Sequence, residues 1–157
     1  MSTLAQVKSN QTVAVFGAGP VGLLCMAVAK ACGAKRVIAI DIAEERLKFA
    51  QSYAATDGFM PPKLNEGEER MAYSQRATNE LMKALKLEER GSNAVDVVID
   101  ASGAEVCIQM GLFLVTAGGE LFFFCETFCI LTRNVQVPMC RLVVRPPQRF
   151  EANTYMI

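Results

Sequence analysis

Gly17, Gly19 and Gly22 fall in the order G-x-G-x-x-G, and Asp41 follows Gly17 by 24 residues. Each position has its own task in holding a pyrophosphate and a ribose. Gly17 permits a tight turn. Gly19 has no side chain, so a phosphate can reach the backbone. Gly22 lets a helix lie close to a strand. Pro20 and Val21 stand between them. Proline suits a first helical turn, where its missing N–H would have no partner, and such a helix aims N–H groups and the positive end of its dipole at a phosphate. A carboxylate at Asp41 can accept both hydroxyls of an adenosine ribose. It also repels a 2′-phosphate, which favours NAD over NADP. The other readings are an ordinary tight turn for the glycines and a helix cap for Asp41.

A strand, a turn and a helix must position these residues. Thr12–Phe16 reads as a buried strand. Pro20–Cys32 is apolar nearly all round (Leu23, Leu24, Met26, Ala27, Val28, Ala31), which suits a helix wedged beside a parallel sheet. Gly33 is its stop signal. Arg36–Ile40 is a second strand, delivering Asp41 at its end. A helix over Glu44–Ala54 turns Leu47, Ala50 and Ala54 inward and leaves Glu44, Glu45 and Lys48 in water. A short strand at Asp57–Met60 ends at Pro61-Pro62. Asn65-Glu-Gly-Glu68 resembles a capping box, and the helix expected over Glu66–Leu87 has Met71, Thr78, Leu81, Met82 and Leu85 as its packing stripe.

Ala94–Asp100 is a further buried strand, Ala101-Ser-Gly-Ala-Glu105 the turn after it, and Ala104–Leu114 a helix. Gly118-Gly119 is expected to turn the chain into a strand over Glu120–Cys125. The alternation predicts an α/β fold, a doubly wound parallel sheet of Rossmann type in a single domain, with right-handed crossovers. Ligands of such sheets sit beyond the carboxyl ends of the strands, which brings the turn at 101–105 near the cofactor. Residues 1–11 read as a linker before a dinucleotide-binding domain over 12–119.

Composition narrows the function classes. The chain has 157 residues, 52% of them hydrophobic, so it can bury one core of ordinary size. Formal net charge is zero and there is no basic run, which argues against a nucleic-acid or membrane-surface role driven by charge. The polar N-terminus does not read as a signal peptide, and no stretch reaches the roughly 18 apolar residues of a membrane span. The expectation is a soluble, cytoplasmic protein. Histidine is absent, so the chain offers no histidine-ligated metal and no Ser-His-Asp or Cys-His site. Of the six cysteines, Cys125 and Cys129 are spaced C-x₃-C with Cys140 downstream, but no fourth zinc ligand accompanies them. All six, Cys25, Cys32 and Cys107 included, read as reduced thiols buried as small core residues.

Val13-Ala-Val-Phe-Gly-Ala-Gly-Pro-Val-Gly-Leu23 resembles the cofactor-binding half of the medium-chain, zinc-dependent alcohol and polyol dehydrogenases. Ala39-Ile-Asp-Ile42, Arg46-Leu-Lys-Phe-Ala50, Ser52-Tyr-Ala-Ala-Thr56, Ala72-Tyr-Ser-Gln-Arg76 and Asp100-Ala-Ser-Gly-Ala-Glu105 narrow the resemblance to the branch holding the xylitol, sorbitol and arabinitol dehydrogenases. It runs from about Val7 to Gly119 and covers the cofactor domain only. It implies reversible oxidation of a polyol to a ketose, xylitol to D-xylulose, with hydride passing to NAD. By position, Gly17, Gly19, Pro20, Val21 and Gly22 would hold the pyrophosphate and Asp41 the adenosine ribose. Arg46 would lie beside the adenine end, where a plain surface charge is its other reading. Ala101, Ser102 and Gly103 would border the cofactor's ribose.

The chain also departs from the family. Zinc is expected in full-length members, on a separate preceding domain with the proton relay, and is not expected to bind to this chain. Tyr53, Tyr73 and Tyr155 lack the lysine of a Tyr-x-x-x-Lys acid/base pair. The reading is therefore a cofactor-domain fragment without catalytic residues or metal ligands, and no activity is expected of it alone. The alternative is a non-catalytic NAD-binding module that associates with full-length subunits or with itself, since the cofactor domains of this family pair edge to edge. A methyltransferase also uses a glycine-rich first loop, but the Pro20-Val21-Gly22 ending and the Asp100–Gly103 turn argue against it, and the chain is too short to enclose FAD. After Gly119, Leu121-Phe-Phe-Phe-Cys-Glu-Thr-Phe-Cys-Ile-Leu131 replaces the family's nicotinamide-side loop, while Asn134-Val-Gln-Val-Pro138 is family-like again. The resemblance implies that the tail over 120–157 is divergent and only partly completes the sheet. The expectation is a truncated or mis-assembled coding sequence, which a continuous, abundant transcript across the genomic exon boundaries would refute.

Overall fold

A computed structural model of the chain describes residues 7–123 and 140–143. Five strands and four helices alternate up to the last segment: β1 (Thr12–Phe16), α1 (Pro20–Ala31), β2 (Arg36–Ile40), α2 (Glu44–Tyr53), β3 (Asp57–Phe59), α3 (Arg70–Ala84), β4 (Val95–Asp100), α4 (Glu105–Leu114), β5 (Val115–Phe123) and β6 (Cys140–Val143). The sheet order is β3-β2-β1-β4-β5-β6. The first five strands run parallel and β6 closes the edge antiparallel to β5. The doubly wound α/β sheet read from the sequence is thus present, with one antiparallel edge strand added. The expectations for residues 1–6, for Phe124 onward to Met139, including Cys125 and Cys129, and for 144–157 lie outside the described residues.

Alternation along the strands builds two apolar layers. Val13, Val15, Val37 and Ala39 face one side, under Cys25, Met26 and Ala29 of α1 and Leu47 and Ala50 of α2. Ala14, Phe16, Ile38 and Ile40 face the other, under Tyr73, Ala77 and Leu81 of α3 and Met110 and Leu114 of α4. A strand buried on both faces needs continuous apolar residues, and every residue of β1 is buried. At the opposite end of the sheet from the glycines, Arg36 grips Asp57 through Nε at 2.8 Å and Nη2 at 2.9 Å, and Asp96 accepts the Thr12 N–H at 2.8 Å.

Four local expectations are corrected. Helix α3 spans Arg70–Ala84 and not Glu66–Leu87. Asn65-Glu-Gly-Glu68 does form half of the reciprocal box, because the Glu68 carboxylate accepts the Asn65 N–H at 3.0 Å. Gly67, at φ +75°, then diverts the chain, and the helix starts behind Glu69 with no side-chain cap. At the other end Lys86 takes φ +51°, and the Leu87 N–H bonds to the Met82 carbonyl at 2.8 Å, a Schellman closure. The packing stripe is Tyr73, Ser74, Ala77, Thr78 and Leu81; Met71 is exposed. Burying a side chain such as Leu81 is worth roughly 1.5–3 kcal/mol, against less than about 1 kcal/mol for an exposed ion pair, so this stripe holds α3 in place.

Helix α1 is not buried all round: Val21, Leu24 and Val28 are exposed, and Gly22, Cys25, Met26 and Ala29 form the inner face. Cys32, expected in the core, caps the end of α1 and is exposed, while Cys107 is half-buried. The fourth correction concerns Gly118-Gly119, which do not introduce β5 but interrupt it. Val95 pairs with Val115 while Val97 pairs with Glu120, so β5 bulges between them. Gly118 has φ +92°, and a Cβ on Gly119 would stand 2.6 Å from the Asp96 carbonyl oxygen.

Candidate functional site

Strands β1, β2 and β4 end together and bring the separated sequence motifs to one place. The Gly17 N–H donates to the Ile40 carbonyl at 2.7 Å, and the Ala101 N–H donates to the Phe16 carbonyl at 2.8 Å. The glycine turn is therefore held between the ends of its two neighbouring strands. Gly17 has φ +91°, and a Cβ there would stand 3.2 Å from the Ala101 carbonyl and the Ser102 nitrogen. A Cβ on Gly22 would stand 1.8 Å from the Gly17 carbonyl oxygen, so the helix can lie this close only without a side chain. Around Gly19 nothing lies within 4 Å of such an atom. The open side of the turn is at the middle glycine, where a ligand backbone can approach.

Gly19 is the N-cap of α1 with no side-chain cap, and Pro20 fills the first turn. An uncapped helix start leaves N–H groups for an anion. Val21 is exposed beside it.

Asp41 is buried at the end of β2. Its Oδ2 accepts the Ala18 N–H at 2.7 Å and its Oδ1 accepts the Ala43 N–H at 2.8 Å. The carboxylate thus ties the glycine turn to the entry of α2. It is not the helix cap: Ala43 is the N-cap, and Asp41 acts two residues earlier through a local turn. Each carboxylate oxygen can take a second hydrogen bond, so hydroxyl donors are still accommodated. Arg46, largely exposed on α2, places Nη1 3.8 Å from Asp41 Oδ2.

A cleft of about 370 Å³ runs between the start of α1 and the first turns of α2, lined by Gly19, Pro20, Leu23, Glu45, Arg46 and Phe49. Phe49 stacks on Tyr53 with ring centroids 6.0 Å apart. Leu23, Glu45 and Phe49 were not among the site residues expected from the sequence. Phe49 was detectable in principle, since it follows Arg46 by three positions and shares its helix face.

The turn after β4 meets the glycine turn from the other side. Ala101 is half-buried, and Ser102 and Gly103 are exposed, the latter at φ +69°. Asp100, which the sequence offered as a strand end and as part of a family-like turn but not as a site residue, is fully buried. Burial pushes its carboxyl above the usual range, opposed by the Ser102 hydroxyl and by the Ser102 and Gly103 N–H groups. Burial likewise pushes the Cys107 thiol up, with Asp100 and Asp41 adding to it against a hydrogen bond from Ser102. A thiol so shifted is a poor nucleophile at neutral pH.

Among the described residues the donors do not fit a zinc site. The chain has no histidine, and among the described residues no three His, Cys, Asp or Glu side chains are grouped as metal ligands. No described helix is long and apolar enough to cross a membrane.

The family model described as zinc-binding dehydrogenase matches residues 20–142, so its footprint extends past Gly119 into β6. D-xylulose reductase A of Aspergillus niger is 50% identical over 115 residues, which are 73% of this chain and 29% of that protein. Among solved structures, 2R,3R-butanediol dehydrogenase from Bacillus subtilis superposes with a TM-score of 0.56 at 26% identity, covering 74% of this chain and 28% of the other. An NADP-bound protein of Sinorhizobium meliloti 1021 superposes with a TM-score of 0.55 at 25% identity, covering 73% and 29%. The chain thus spans less than a third of the length of the relatives it matches.

Proposed function

We infer the role of this chain from its kinship: it belongs to the zinc-binding dehydrogenase family. Within that family it is the NAD-binding unit of a polyol dehydrogenase whose overall reaction is xylitol with NAD giving D-xylulose and NADH. The observation that carries this reading is the joint between Asp41 and the glycine turn, the 2.7 Å bond from Ala18 to the carboxylate. It supports the reading by setting a buried carboxylate beside a backbone that is open at Gly19. Gly17, Gly19, Pro20, Val21 and Gly22 hold the pyrophosphate. Asp41 accepts the adenosine ribose hydroxyls, Arg46 lies at the adenine end, and Ala101, Ser102 and Gly103 border the cofactor's ribose. NAD, when bound, supplies a hydride acceptor. The chain's own contribution is to bind and orient it and to refuse a 2′-phosphate at the buried carboxylate.

Zinc in such enzymes polarises the alcohol oxygen, and the described residues of this chain offer no donor set for it. A second role fits the same residues, a non-catalytic NAD-binding module that associates with full-length subunits. Among the described strands β6 is outermost in the sheet, and a full-length subunit pairing there would fit that role.

Titration calorimetry on the purified chain tests the reading, with NADP and S-adenosylmethionine as controls. NAD is expected to bind selectively, and Asp41→Ala to weaken NAD while narrowing its advantage over NADP. Tighter binding of S-adenosylmethionine than of NAD would replace this reading with a methyl-transfer one.

A further inference from the structure

Asp100 is a costly residue for the place it occupies. It ends β4 wholly out of water, where a carboxylate is expensive unless its oxygens are well paired. Oδ1 is paired twice, accepting the Ser102 N–H at 2.9 Å and the Ser102 hydroxyl at 2.6 Å. Ser102 Oγ in turn accepts the Ala104 N–H at 3.2 Å. Oδ2 is enclosed with no hydrogen-bond partner among the described residues. An apolar residue would end the strand more cheaply. What the carboxylate adds is a fixed shape for the turn at 101–104, and that turn touches the glycine loop without any side chain between them, at 3.2 Å from a Cβ position on Gly17.

Resting on the NAD reading above, we propose that Asp100 is a positioning residue for the dinucleotide. Through Ser102 it holds the 101–103 turn against the glycine loop, so that the backbone of that turn meets the half of NAD that Asp41 does not hold. The sheet order supports the division. Strand β2, which carries Asp41, and strand β4, which carries this turn, flank β1 on opposite sides. Adenosine held on the β2 side leaves the nicotinamide half nearer β4. Asp100 itself does not touch the ligand, and its effect passes through a hydroxyl and two backbone N–H groups.

The full chain is titrated with NAD and with ADP, which lacks the nicotinamide half. Ser102 is exposed, so Ser102→Ala leaves the fold intact. It removes a hydrogen bond to a charged group and is expected to weaken NAD by about tenfold, as such bonds are worth that order, with ADP affinity unchanged. Asp100→Ala is expected to do the same or more. Asp100→Asn keeps an acceptor at Oδ1 and is expected to restore most of the NAD affinity. Equal losses for NAD and ADP, NAD affinity at the wild-type level in Ser102→Ala, or an Asn variant as weak as the Ala variant would each overturn the positioning role. A wild-type chain that binds neither ligand would instead overturn the NAD reading, and this inference with it.

Discussion

Gly19 and Gly22 are three residues apart and tolerate opposite things. A methyl group on Gly22 would collide with the Gly17 carbonyl oxygen at 1.8 Å, and backbone cannot yield as a flexible side chain does. Gly22→Ala is therefore expected to destabilise the fold by at least about 1–3 kcal/mol, the usual cost of overpacking, read as a lower melting temperature. Gly19 has an ordinary φ of −78° and empty space where a methyl would go. Gly19→Ala is expected to leave the melting temperature unchanged and to weaken NAD, because the methyl occupies the approach of the pyrophosphate. A Gly19→Ala chain that binds NAD like wild type would show that phosphate does not approach there. The motif already read Gly22 as the glycine that lets the helix lie close and Gly19 as the one open to phosphate. The distance from α1 back to the turn shows how tight the Gly22 contact is.

At the scale of elements, the approach to α3 is held by a charge cluster. Glu68 receives Arg76 Nε at 2.8 Å and Nη2 at 2.7 Å, and Arg76 Nη2 also donates to the Lys63 carbonyl at 3.1 Å. Tyr73 donates its hydroxyl to the Pro62 carbonyl at 2.9 Å and lies under the Arg76 guanidinium. Arg76, with help from the Asn65 N–H, holds the Glu68 carboxyl down at about 2, from an ordinary 4.5. Because the folded value is the lower one, this contribution is complete above pH 4.5 and is lost as pH falls toward about 2. Hydrogen exchange is expected to show the 62–69 segment losing protection across that window ahead of β1. Arg76→Ala should show the same loss at neutral pH. Protection of the segment unchanged by Arg76→Ala would mean that Tyr73 and the proline backbone hold it unaided. Local sequence signals read these elements unevenly. Gly33 marked the end of α1 correctly. Lys86 ended α3 in the conformation glycine usually takes, with no glycine to announce it, so the helix was expected to run on to Leu87.

At the scale of the whole molecule, binding and turnover should separate. Incubated with NAD, zinc and xylitol, the 157-residue chain is expected to bind NAD and to produce no nicotinamide absorbance change. Polyol-dependent NADH formation by the chain alone would overturn this expectation. The sequence by itself determined the α/β order, the strand spans of β1 and β2, and the partnership of the glycines with Asp41, because these depend on local periodicity and on spacing along one crossover. Tertiary structure decided the rest. Only the packed sheet placed Ser102 against Gly17, across 85 residues of chain, and showed Asp41 bonded to the glycine turn rather than capping α2. Only the pairing of β5 with β4 turned Gly118-Gly119 from a strand start into a bulge. Asp100 looked like the polar end of an apolar strand, and its burial became visible when β1 and β5 paired on either side of it. Such features arise from contacts between distant segments, and no window of sequence contains both partners.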